Sequence, residues 1–243
     1  MTQQGFFFDE SRCLDCRACS IACQDWNDIQ VGTEKYLRRF FWEEGVFPEI
    51  SLHFVFAPCY HCEKPACLDA CPNGAIFKES KYGAVLVDDA LCVGCKSCWD
   101  ACPYGAPRFS DEPKMKKCNL CIGRLEKGQL PACIDTCIPR ALDFGPIDEL
   151  EKKYGTCRAL KAMPDPSAVK PSIIFKEAGA KQQLVPYDAE KARQLFGYRG
   201  KDFEPYYTDA AVLSDTASVW KKCLNMKFED ASKELEFMKN DEC

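Results

Sequence analysis

Cysteine spacing constrains this chain more than any other feature. Sixteen of the nineteen cysteines fall into four groups of four. The first is Cys13-x2-Cys16-x2-Cys19-x3-Cys23, and the second is Cys59-x2-Cys62-x4-Cys67-x3-Cys71 followed by Pro72. The third is Cys92-x2-Cys95-x2-Cys98-x3-Cys102 followed by Pro103, and the fourth is Cys118-x2-Cys121-x11-Cys133-x3-Cys137 followed by Ile138 and Pro139. Groups one and three have the spacing of a bacterial ferredoxin run, and groups two and four are that run with residues added between the second and third cysteines. Cys157, Cys223 and Cys243 have no neighbour at ligand spacing and read as ordinary thiols.

The spacing follows from the chemistry of a cubane cluster. A tight C-x2-C-x2-C loop can wrap three of the four iron corners while its backbone N–H groups point at the sulfurs. The fourth corner needs a thiolate from elsewhere. Cys19 and Cys23 are four apart, so on a short helix they share one face, about 5–6 Å apart at Cβ, and can serve different clusters. Two clusters are thereby held side by side. Zinc is the competing reading of C-x2-C pairs, but tetrahedral zinc gives no reason for a third cysteine at x2 and a fourth at x3. His61, beside Cys62, could replace a thiolate as imidazole does in Rieske centres. Each group already has four cysteines, so His61 and His53 are read instead as surface or supporting histidines.

An odd cysteine count and an N-terminus without a basic segment or apolar core argue against a disulfide framework and against export by the chain's own signal. The net charge of -5 is the wrong sign for a phosphate-binding surface, so nucleic acid is not an expected partner. The longest apolar runs, 54–58 and 84–87, fall far short of the ~20 residues that span a bilayer. With 47% hydrophobic and 28% charged residues, a packed globular core is expected.

Short strands are predicted at 5–9 and 83–88, before groups one and three, and at 52–57 before group two. Others are predicted at 75–77 and 141–145, after groups two and four. Strand, cysteine loop, short helix and strand thus recur as an internal repeat. Beyond Pro146 a helix is expected over 147–154 with Gly155 as its stop, then a proline-rich linker at 163–166 and a strand at 172–175. Further on, Asp188 can cap a helix running to Phe196. Leu224, Phe228, Ala231, Leu235 and Met238 form an apolar stripe on a terminal helix, with Tyr206, Tyr207 and Trp220 as candidate interface anchors.

With these groups placed, the chain resembles the four-cluster iron-sulfur subunit of the dimethyl sulfoxide reductase family of molybdopterin oxidoreductases. The resemblance runs over residues 5–176. It rests on Asp9-Glu10-Ser11-Arg12-Cys13, His61-Cys62-Glu63-Lys64-Pro65-Ala66-Cys67, Ala101-Cys102-Pro103-Tyr104-Gly105-Ala106-Pro107 and the segment 140–150, which is the nearest to the family's namesake. It implies an α+β fold of two pseudo-symmetric ferredoxin-like units, nested. Residues 1–50 and 104–150 would form the unit of groups one and four, residues 51–103 the unit of groups two and three, and residues 151–243 a C-terminal extension docking to a partner.

The resemblance also implies four 4Fe-4S clusters. Cys13, Cys16, Cys19 and Cys137 would hold the first, and Cys118, Cys121, Cys133 and Cys23 the second. Cys59, Cys62, Cys67 and Cys102 would hold the third, and Cys92, Cys95, Cys98 and Cys71 the fourth. Such a chain does no bond chemistry of its own. It passes single electrons between a molybdenum or tungsten pterin subunit and a membrane anchor subunit or soluble carrier. A free polyferredoxin is the alternative, and a zinc scaffold the remote one. Location stays open between the cytoplasm and the outer face of the cytoplasmic membrane, because family members can be carried across by a signal on the catalytic partner. Two departures stand out: Ile138 separates Cys137 from Pro139, and the chain after residue 180 is unlike the family's namesake.

Overall fold

Phe6, Phe7 and Phe8 form a strand buried on both faces, and the rest of the fold is arranged around it. The computed structural model describes residues 2–30, 35–46, 49–109, 114–161 and 163–179, together with Lys191 and Gln194. The elements are β1 (Gln4–Asp9), α1 (Ala18–Trp26), β2 (Arg38–Val46), β3 (Glu49–Ala57), α2 (Ala66–Asp69), β4 (Ile76–Lys78) and β5 (Val85–Val87). They continue with α3 (Ser97–Ala101), α4 (Ile122–Leu125), α5 (Ala132–Asp135), β6 (Leu142–Pro146), α6 (Ile147–Tyr154) and β7 (Ile173–Lys176). None of the described helices is long and apolar enough to cross a membrane.

β1 lies between β6, antiparallel to it, and β7, parallel to it. The two-residue side-chain period of a strand sends Phe6 and Phe8 into the main core and Phe7 to the opposite face. Phe6 meets Phe56 edge to face at 5.6 Å, while Phe7 stacks on Tyr154 at 3.6 Å. Gly5 is needed where β1 passes closest to its neighbours. A Cβ there would sit 2.6 Å from Ile147 Cδ1 and 2.7 Å from the Ser172 carbonyl oxygen. That carbonyl already accepts the Phe6 N–H at 2.9 Å. Gly5→Ala is therefore expected to destabilise the protein by about 1–3 kcal/mol, read as a lower denaturant midpoint at unchanged slope.

α6 spans the predicted 147–154. Asp148 and Glu149 in its first turn and Lys152 and Lys153 in its last suit the helix dipole, and Gly155 ends it at φ 96°. Ile147 and Leu150 face Phe7 and Ile174, so the helix covers the outer face of the β1 sheet. The strands expected near 5–9, 52–57, 75–77, 83–88, 141–145 and 172–175 all form, shifted by a residue or two or extended.

Pairing follows a pattern. β1, before group one, pairs with β6, after group four, and β4, after group two, pairs antiparallel with β5, before group three. The sequence reading missed β2, which forms a long antiparallel hairpin with β3 from Arg38↔Ala57 to Val46↔Glu49. Its alternation is masked because Arg38 is buried together with Phe40 and Trp42. The expected helices and anchors beyond residue 180 lie outside the described residues.

Candidate metal centre

Backbone conformation repeats in the four cysteine loops. The residue just before the second cysteine of each group has positive φ: Asp15 at 49°, His61 at 44°, Gly94 at 71° and Leu120 at 58°. Arg17 and Lys96, just after the second cysteine in groups one and three, are left-handed too. Non-glycine residues hold this conformation only where the surroundings demand it, and such runs turn successive N–H groups toward one concave point, a nest for an anionic group. A short helix then carries the third cysteine of each group: Cys19 on α1, Cys67 on α2, Cys98 on α3 and Cys133 on α5. Cys23 shares α1 with Cys19, as the x3 spacing predicts. Cys71, Cys102 and Cys137 fall at or just past the ends of the shorter helices.

Tertiary packing brings the thiols within electrostatic reach of one another in four sets. Burial, reinforced by Cys137 and Cys16, pushes the Cys13 thiol up to about 12, and burial with Cys13, Cys137 and Cys16 does the same to Cys19. Burial and Cys121 raise Cys23 to about 12, while burial with Cys118, Cys23 and Cys121 raises Cys133 well above the thiol range. Burial with Cys59, Cys102 and Cys67 raises Cys62, and burial with Cys92, Cys95 and Cys71 raises Cys98 to about 12. Cys95, at the surface, is the exception: hydrogen bonds from Ser97 favour its thiolate.

The quartets themselves form a row. Cys19 of the first adds to the charge felt by Cys133 of the second. Cys59 of the third acts on Cys118 of the second, and Cys98 of the fourth acts on Cys67 of the third. Cys16 and Cys95, in the two end quartets, are exposed, whereas all four thiols of the second, Cys23, Cys118, Cys121 and Cys133, are buried.

The donor set fits an iron-sulfur cubane. Four thiols held close together need a cationic core before they can all ionise, which iron supplies. N–H donors aim at sulfur, as such clusters require: Ala141 to Cys137 Sγ at 3.2 Å, Met115 to Cys92 Sγ at 3.4 Å and Ala106 to Cys102 Sγ at 3.5 Å. Phe8, Val55, Phe56 and Leu142 wall the first quartet with apolar surface.

Polar anchors that sequence reasoning did not single out hold the loops in place. Glu10, buried beside Cys13, accepts from His53 Nδ1 at 2.9 Å, the Phe54 N–H at 3.3 Å and the Ala178 N–H at 2.8 Å. It ties the first loop to β3 and to the segment after β7. Arg158 joins Glu63, in the second group, to Glu151 on α6. The acid pair Asp9-Glu10 directly before a ligand-type cysteine was the available signal. Of the two readings of His61, surface or supporting, the structure bears out the second: it is fully buried, with Nδ1 accepting the Val85 N–H at 2.9 Å. His53 is partly exposed in its pairing with Glu10. Cys157 is a free, exposed thiol.

Loops, quartets and N–H donors of this kind define a ferredoxin-type iron-sulfur protein that carries electrons and is no catalyst by itself. Residues 50–147 match the 4Fe-4S dicluster domain family. The sequence is 42% identical over 185 residues to the B subunit of anaerobic dimethyl sulfoxide reductase from Escherichia coli K12, covering 72% of this protein and 89% of that one. It is 38% identical over 191 residues to the corresponding B subunit of Haemophilus influenzae, with 72% and 90% covered. Protein NrfC of Escherichia coli K12 is 37% identical over 147 residues, with 60% and 66% covered. The protein belongs to the family of iron-sulfur electron-transfer subunits typified by the B subunit of anaerobic dimethyl sulfoxide reductase.

Proposed function

We propose that the four quartets hold four 4Fe-4S clusters that relay single electrons. The row in which the quartets stand carries this reading, because each has thiols that act on thiols of the next. Cys13, Cys16, Cys19 and Cys137 bind at one end of the relay. Cys118, Cys121, Cys133 and Cys23 come next, then Cys59, Cys62, Cys67 and Cys102, and Cys92, Cys95, Cys98 and Cys71 bind at the other end. In each quartet one ligand comes from another group, so Cys23, Cys71, Cys102 and Cys137 tie the clusters into two nested pairs. Pairing of β1 with β6 and of β4 with β5 supports the nesting, since each sheet joins the two groups of one pair.

When bound, the clusters supply the one-electron carriers. The protein fixes them with thiolates, keeps water from the middle two by burial, and biases their potentials through N–H donors and fixed charges. The relay runs between a catalytic subunit bearing molybdenum or tungsten pterin and a membrane anchor subunit or soluble carrier, as implied by relatives named as subunits of dimethyl sulfoxide reductase. The protein resides where its catalytic partner resides, in the cytoplasm or, when that partner carries an export signal, on the outer face of the cytoplasmic membrane.

Metal analysis of the anaerobically purified full-length protein tests this. About 16 iron and 16 acid-labile sulfide per molecule are expected, with no stoichiometric zinc. About half that iron would leave room for a single pair only, and zinc in its place would overturn the reading. A pterin-bearing protein retained on the affinity-purified chain separates a complex subunit from a free polyferredoxin.

A further inference from the structure

Lys117 is a buried ammonium whose charge no carboxylate answers among the described residues. Its residue is 4% exposed. Nζ donates to the Val85 carbonyl and, at 3.0 Å, to the Cys118 carbonyl. Two carbonyl dipoles orient a buried cation but do not neutralise it, and an uncompensated buried charge costs several kcal/mol. Several other cations of the protein do have a carboxylate partner. Arg39 pairs with Asp15, Arg124 with Asp135, Lys116 with Asp89 and Lys176 with Asp9.

The same backbone holds a second group in need of a partner. The Val85 N–H donates to His61 Nδ1, so the proton of the neutral ring sits on Nε2. That Nε2–H is fully buried and has no acceptor among the described residues. Val85 thus bridges the two groups, its carbonyl accepting from Lys117 Nζ and its N–H donating to His61 Nδ1. His61 directly precedes Cys62, and Val85 packs in one apolar cluster with Cys67, which places the clamp against this quartet.

We infer that Lys117 is the internal counter-cation of the cluster held by Cys59, Cys62, Cys67 and Cys102, and that it raises the midpoint potential of that centre. The inference rests on the four-cluster reading above. One-electron reduction adds a negative charge beside a fixed positive one that water cannot screen, so the reduced form gains more than the oxidised form. Lys117 acts as a positioned charge and touches no substrate. His61 shares its clamp, and the two together turn the inner wall of the quartet electropositive.

The test is a redox titration of the iron-loaded full-length protein, followed by electron paramagnetic resonance. The signal lost or altered in Cys67→Ser identifies the centre. Lys117→Gln and Lys117→Met remove the charge while keeping a long side chain. Either is expected to weaken reduction of that centre at least tenfold, which is about 59 mV lower for one electron, with iron content unchanged. Lys117→Arg should keep the native value, and Lys116→Gln, on the neighbouring surface lysine, should do the same. A merely structural clamp would leave the potential in place in Lys117→Gln. Native potentials in both neutral variants would overturn the inference while leaving the four clusters standing. Loss of the centre from both would overturn it too, making Lys117 an assembly residue. Native protein with too little iron for four clusters would instead overturn the reading beneath it.

Discussion

Cys118→Ser is expected to remove one centre from the middle of the relay and to stop electrons crossing from one pair of clusters to the other. Cys118 is fully buried, and its thiol is pushed far up by burial and then by Cys23 and Cys59, which belong to two different quartets. Serine is a harder and far less acidic ligand. Iron should fall from about 16 to about 12 per molecule, one electron paramagnetic resonance signal should vanish, and transfer between the end quartets should drop more than tenfold. Cys95→Ser gives the contrast. Cys95 is exposed in an end quartet, so its loss should cost that terminal centre while the other three still exchange electrons. Freeze-quenched samples reduced from one end would show both patterns. A Cys118→Ser protein with full iron and native transfer would sink the proposed order of the relay.

Stripping iron with a strong chelator under anaerobic conditions is expected to abolish cooperative folding rather than leave an empty native scaffold. Apart from α1 and α6, the described helices are only four or five residues long, too short to persist without tertiary support. Cys23, Cys59, Cys102, Cys118, Cys133 and Cys137 sit inside the main apolar core. Metal removed from such sites takes with it the free energy that ordered the loops, on the order of 10 kcal/mol for a structural metal site. The left-handed residues Asp15, His61 and Leu120 would then relax, having lost what held them. Near-ultraviolet circular dichroism and amide exchange should both report the collapse. A chelated protein that kept native spectra and a sharp unfolding transition would show that the polypeptide alone holds the fold. Reloading releases protons, because Cys13, Cys19, Cys67 and Cys98 are pushed up to about 12 by burial and by one another. Assembly is accordingly favoured as pH rises and opposed by acid.

Much of this was legible in the sequence because it is local. The x2 spacing is a loop property and the x3 spacing a helix property, so the approach of Cys19 to Cys23 follows from a single turn of α1. The helix over Ile147–Tyr154 was readable because its apolar face, dipole-suited charges and glycine stop lie within nine residues. β2 was not readable, since a buried arginine interrupts its alternation. Arg38 is held inside by the Tyr104 and Gly105 carbonyls, which accept from it and lie more than sixty residues away. His61 stayed open between a surface and a supporting role for a related reason. Its partner is the N–H of Val85, on a strand whose pairing no local pattern announces.

By itself, then, the sequence determined what kind of protein this is. Four cysteine groups at ferredoxin spacing dictate the chemistry, because thiolates at those intervals suit the corners of a cubane. Tertiary structure alone decided which thiols stand together and what surrounds them. Cys23 meets Cys133 because α1 packs on α5, and Cys118 meets Cys59 because the middle quartets share one core. Lys117, in sequence one lysine of an adjacent pair beside a cysteine, became a buried side chain clamped by the Val85 and Cys118 carbonyls. Spacing along the sequence sets what near neighbours can reach, whereas burial and charge balance arise from contacts between distant segments, which only folding brings about.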